Sequence, residues 1–189
     1  AEIIKCGLIG NKKILNYLKK DKYLDKRIST KNLSKIIIET LKTKISFFKN
    51  DVKEKNKRLS LNFGHTFAHS IEMVTDKLIK KDYLRHGEAV GLGMLCEIMM
   101  EDANKKKNSL FNLTETLLKK YNLPIRLKIP KNLRNKIHTE IYQGVFLDKK
   151  TKYKHPRYIS LKKVCSPYIK EITDYGVLND TIYKITKIN

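Results

Sequence analysis

Apolar residues recur three or four positions apart through most of this chain, the spacing of amphipathic helices packed on a shared core. Residues 1–20 read as helix interrupted near Gly10 and Asn11. Ser29 or Thr30 is suited to cap a long amphipathic helix that runs to about Val52, where the polar run KEKNK breaks the pattern. Further helices are predicted at about 60–76 and 86–104, and another at about 109–121 that stops before Asn122 and Pro124. A helix near 131–142 follows. RYISLKKV and YIKEIT, parted by a Ser-Pro turn, have the β-rich character of a small hairpin, and LNDTIYKITKI predicts a closing helix. The expected class is mainly α: one multihelical domain over residues 1–189 with a small β-hairpin, without repeats or low-complexity linkers.

Composition narrows the class. At 189 residues and 41% hydrophobic, the chain is large enough for a real core. No apolar run approaches the roughly 20 residues that span a bilayer, and no signal-peptide pattern opens the chain, so a membrane protein is not expected. Cys6, Cys96 and Cys165 are odd in number, scattered and never paired as CxxC, which points to a reducing cytoplasm and away from a structural zinc knot. Cys6 and Cys96 sit among apolar neighbours and read as small core residues rather than nucleophiles. The net charge of +22 raises affinity for any polyanion, so a basic nucleic-acid-binding domain is a remote alternative. Its lysines are spread through every segment with no aromatic-interleaved groove, and most read as solvated faces.

Candidate chemistry concentrates in RLSLNFGHTFAHS. Arg58, Asn62, His65 and His69 follow one another at steps of four, three and four, which on a helix gathers them on one face while Leu61, Phe63, Phe67 and Ile71 project elsewhere to pack. Buried polar groups without partners cost about 1 to 3 kcal/mol each, so such a row is best explained by a shared ligand. Spacing alone leaves three options for the two histidines: joint metal ligands, one ligand beside a hydrogen-bond donor, or two surface residues. His86 in HGEAVGLGM opens another predicted helix, whose small residues Gly87, Ala89, Gly91 and Gly93 permit close backbone approach. Two histidines on facing helices make a plausible ligand pair that still lacks a carboxylate. GLG at 91–93 is too little to be a phosphate-binding fingerprint.

LNFGHTFAHSIE followed by HGEAVGLGM resembles the paired signature of 3-dehydroquinate synthase, and the opening AEIIK resembles that family's carboxylate ligand segment. The likeness runs through LDKK at 147–150 and covers nearly the whole chain as the C-terminal portion of the enzyme. It implies an N-terminal NAD-binding, Rossmann-like domain absent from residues 1–189, and a homodimer. It also implies that Glu2, His65 and His86 are the metal ligands, for zinc or cobalt. Lys5, one helical turn after Glu2, Lys44, Arg58, Asn62, His69 and Lys149 become substrate contacts; Lys5, Asn62 and His69 stand at the reacting centre, and Lys149 is a phosphate-binding lysine with Lys150 its nearest confusable neighbour. The implied substrate is a small sugar phosphate, 3-deoxy-D-arabino-heptulosonate 7-phosphate. The implied reaction is oxidation of an alcohol by NAD, phosphate elimination, reduction and aldol ring closure in the shikimate pathway. Other sugar-phosphate cyclases and metal-dependent polyol dehydrogenases of the same fold are the nearest rivals. Ala68 stands where the family often has glycine, a small-for-small change, and KEKNK replaces a glycine-bearing turn.

Overall fold

The computed structural model describes residues 1–20, 30–49, 51–101, 109–147 and 155–188. Helices α1 (Glu2–Gly10) and α2 (Lys12–Lys19) meet at Asn11, whose extended backbone stops the first helix while its side chain accepts a hydrogen bond from the Lys13 amide and caps the second. An atom added at Gly10 as a Cβ would lie 2.7 Å from the Phe47 ring, so this corner packs directly on α3 (Thr30–Lys49). Helix α3 ends earlier than the sequence pattern predicts. Asp51 beyond it accepts from the amides of Lys55, Asn56 and Arg58, folding KEKNK into a compact turn. Ser29, one of the two expected caps, lies outside the described residues.

A 3₁₀ turn, Lys57–Asn62, leads to α4 (His65–Leu78), the centre of the domain. Phe67, Ile71 and Val74 on α4 are fully buried, and α4 packs chiefly against α5 (His86–Glu101) and α7 (Arg134–Leu147). Helix α5 is buried on nearly every side from Ala89 to Ile98, as its almost continuous apolar run requires. Gly144 on α7 lets the Ser70 hydroxyl reach the Ile141 carbonyl, 2.8 Å away. α6 (Ser109–Lys120) packs on α5 and stops at the Tyr121–Asn122 turn, where Asn122 is left-handed.

Strands β2 (Arg157–Leu161) and β3 (Pro167–Glu171) form the expected antiparallel hairpin, with Arg157 opposite Glu171 and Leu161 opposite Pro167. Its turn is tethered to the helices by the Cys165 amide, which donates to the Leu8 carbonyl at 2.7 Å. The chain end differs from expectation. α8 (Tyr175–Ile185), capped by Asp174, stops at Thr186, and β4 (Thr186–Ile188) pairs in parallel with β1 (Leu127–Ile129). This pairing gives a second two-stranded sheet where LNDTIYKITKI predicts continuous helix. Buried Leu127 and Ile129 anchor it to the core.

Among the described residues no helix is long and apolar enough to cross a membrane. Helix α3 and the turn after it nonetheless turn an apolar row outward: Ile37, Ile38, Leu41, Ile45, Phe48 and Val52 are all exposed.

Candidate functional site

The site is organised by one left-handed residue. Gly64, at φ +87°, separates the 3₁₀ turn from α4, so Arg58 and Asn62 do not share a helix with His65 and His69 as their spacing predicts. A Cβ at Gly64 would lie 2.8 Å from the Val90 carbonyl oxygen, and one at Gly93 would lie 1.9 Å from the Gly64 carbonyl oxygen. Glu97, fully buried on α5, accepts the Gly64 amide at 2.8 Å. The start of α4 is thereby clamped against α5. Within GLG at 91–93, Gly93 serves this close packing, while Gly91 makes room for Leu118 of α6.

Three imidazoles meet across the clamp. The ring centroids of His65 and His86 are 5.4 Å apart, those of His65 and His69 5.6 Å, and those of His69 and His86 6.4 Å. His65 Nδ1 faces the Phe63 carbonyl at 3.3 Å, which favours the Nδ1–H tautomer and leaves Nε2 with its lone pair. Burial, helped by the nearby Lys5 ammonium, lowers the His65 pKa to about 4, so the ring is neutral at physiological pH. His86 is exposed, and its Nδ1 lies 3.1 Å from both carboxylate oxygens of Glu72 on α4.

Helix α1 brings the carboxylate. Ala1 packs against the buried cluster of Ala68, Ala89 and Val90 at the α4–α5 contact, and Glu2, the next residue, acts electrostatically on His65. Glu2 Oε1 is 2.7 Å from Lys5 Nζ and Oε2 is 2.6 Å from Lys44 Nζ on α3. Burial opposes the Glu2 charge, but the two ammonium groups outweigh it and hold the carboxyl at about 2. Lys5 is only 3% exposed; burial pulls its pKa down against the attraction of Glu2, so the pair hold each other's charges in a poorly solvated place. For Lys44 burial is the largest single influence and pulls its pKa down, but the hydrogen bond to Glu2 and the Glu2 charge together outweigh it and raise the pKa.

Arg58 and Asn62 point elsewhere. Asn62 Nδ2 donates to Glu54 Oε1 at 2.9 Å, Arg58 approaches Glu54 at 3.5 Å, donates to the Val52 carbonyl and lies over the Phe48 ring, 4.4 Å from its centroid. Asn62 and Glu54 line a cavity of about 550 Å³ together with Lys53, Lys55, Thr66 and Arg157. Sequence reasoning missed Glu54, Glu72, Glu97 and Arg157. Only Glu72 was within reach, since it continues the polar row three residues after His69. Lys149 and Lys150 lie outside the described residues.

Ionised Glu2, the neutral His65 ring and the imidazole of His86 are the donor types that zinc and cobalt accept. Among the described residues no three such side chains converge closely enough to hold an ion, and both oxygens of Glu2 face lysines. The donor set therefore fits a divalent metal in type, with the Glu2 carboxylate needing to exchange an ammonium for the cation.

Residues 1–151 match the family model described as 3-dehydroquinate synthase C-terminal. The 3-dehydroquinate synthase of Campylobacter hominis is 34% identical over 91% of this chain and 48% of its own length; that of Nitratiruptor sp. is 32% identical over 97% and 46%. The chain thus spans about half the length of the curated relatives it matches. Among solved structures, the 2-epi-5-epi-valiolone synthase of Streptomyces hygroscopicus, with NAD+ and Zn2+ bound, superposes with a TM-score of 0.75 at 14% identity, covering 97% of this chain and 49% of that one. A 2-deoxy-scyllo-inosose synthase complexed with carbaglucose-6-phosphate, NAD+ and Co2+ gives 0.69 at 20% identity, covering 97% and 49%. At these identities the likeness speaks for the fold.

Proposed function

Because this chain belongs to the 3-dehydroquinate synthase family, matched over residues 1–151, we propose that it is the metal- and substrate-binding domain of an enzyme of that activity. The enzyme converts 3-deoxy-D-arabino-heptulosonate 7-phosphate to 3-dehydroquinate and phosphate in the shikimate pathway. The observation that carries the reading is a cluster of three imidazoles, one of which, His65, feels the charge of a carboxylate held by two ammonium groups. Relatives of the same activity at 32–34% identity favour this over the other sugar-phosphate cyclases, which resemble the chain in fold at 14–20% identity. The missing half of the relatives' length is read as an NAD-binding domain; a cytoplasmic homodimer completes the reading.

Glu2, His65 and His86 would hold zinc or cobalt. A metal held there would supply Lewis acidity and orientation at the substrate hydroxyls, and NAD bound by the other half of the enzyme would supply the hydride acceptor. Lys5 and Lys44 lie where displacement from Glu2 frees them for a substrate hydroxyl or carboxylate. Arg58 offers a planar fork for a carboxylate once it exchanges Glu54 for substrate. Asn62, beside the cavity, donates to a hydroxyl, while His69 and Lys149 serve phosphate oxygens. The departing phosphate itself takes a proton in such chemistry, so His69 acts as a positioning donor rather than an obligatory base.

The test is phosphate release by the full-length protein, metal-depleted and then given zinc, with NAD and the heptulosonate phosphate. Zinc-restored turnover that disappears in His86→Ala is the expected result. No release despite bound NAD and metal, or a kinetic preference for an uncharged polyol, would transfer the assignment to a polyol dehydrogenase.

A further inference from the structure

We infer that Glu72 is a positioning residue for the metal centre: its carboxylate fixes the tautomer and the rotation of His86, although it binds neither metal nor substrate. The inference rests on the metal-site reading above. On α4, positions 65, 69 and 72 fall within one narrow arc, since seven residues complete nearly two helical turns. Glu72 therefore extends the His65–His69 face by one step, and it reaches across to α5.

Both Glu72 oxygens lie 3.1 Å from His86 Nδ1. An ionised carboxylate only accepts, so the contact is favourable only while Nδ1 carries a proton. In a neutral ring this leaves the lone pair on Nε2, the nitrogen on the other edge of an imidazole whose centroid is 5.4 Å from that of His65. The need for such a device is specific to His86. Its side chain is 53% exposed at the start of a helix, so burial restricts it less than it restricts His65, which is half-buried and held by the Phe63 carbonyl. Carboxylate partners of ligating histidines typically contribute 10–100-fold in metal affinity.

The experiment measures zinc affinity of the full-length protein by chelator competition, and the visible absorption of its cobalt form, in the wild type, Glu72→Ala, Glu72→Gln and His86→Ala. The expected result is a 10–100-fold loss with an altered cobalt spectrum in Glu72→Ala, and recovery of most of the affinity in Glu72→Gln, whose amide oxygen still accepts from Nδ1–H. Unchanged affinity and spectrum in Glu72→Ala, alongside lost binding in His86→Ala, would overturn the inference and leave the metal site standing. Wild-type zinc binding in His86→Ala would overturn both. Melting temperatures of all four proteins separate a local effect from unfolding, and a loss of affinity matched only by loss of fold would also count against Glu72.

Discussion

Glu101 shows how single residues away from the centre are tuned by their neighbours. Burial works against its charge, yet the Lys170 ammonium at 2.8 Å and the Ser160 hydroxyl at 3.3 Å hold its carboxyl below the ordinary value of 4.5. A carboxyl depressed in the folded state stabilises the fold fully above its unfolded pKa, and the contribution is lost as pH falls through the folded value. The domain should therefore melt progressively lower as pH drops from about 4.5, and Glu101→Gln should flatten that part of the profile without altering the melting temperature's trend above it. Thermal unfolding followed by circular dichroism between pH 7 and pH 3 checks this. A profile as steep as the wild type's would mean that the pair contributes nothing. The exposed half of Lys170 keeps the effect small.

The contact between α4 and α5 is the element on which the site depends, and its tightest point is backbone on backbone. A methyl at position 93 has nowhere to go, because the atom 1.9 Å away is a carbonyl oxygen rather than a flexible side chain. Gly93→Ala should destabilise by about 3 kcal/mol, the upper range for overpacking, and should move His65 away from His86 and so weaken zinc binding even where the fold survives. Urea titration and zinc competition report the two effects separately; a variant with native stability would refute the clamp. Amphipathic periodicity made most helices readable beforehand, including α3, α5 and α6 within a few residues, and LNFGHTFAHSIE with HGEAVGLGM pointed to three histidines that the fold brings together. Arg58 and Asn62 were misread as part of α4 because a 3₁₀ turn followed by a left-handed glycine preserves helical spacing in sequence while rotating the side chains toward Glu54. Strand β4 was unreadable for a different reason. Its partner β1 lies nearly sixty residues earlier, and Thr186–Ile188 carries no local signal strong enough to end a helix. Glu97 was hidden within an apolar run, where nothing in the spacing announces that one carboxylate will meet the Gly64 amide.

At the scale of the whole molecule, the half-length match sets a firm expectation. Residues 1–189 alone should release no phosphate from the heptulosonate phosphate, since the proposed nicotinamide site belongs to the other half of the relatives' length. Turnover by this polypeptide without an added N-terminal half would defeat that expectation. The outward apolar row on α3 also has a consequence for how the chain behaves in a test tube. With a net charge of +22, copies repel one another in dilute buffer, but that repulsion reaches only about 8 Å at physiological ionic strength and about 3 Å at 1 M salt. Ile37, Leu41, Ile45 and Phe48 attract at any ionic strength, more so in sulfate. Colloidal stability of residues 1–189 should thus be lost on adding salt and restored by dialysis, visible as reversible turbidity, so that purification at low ionic strength is the condition under which the domain stays dispersed.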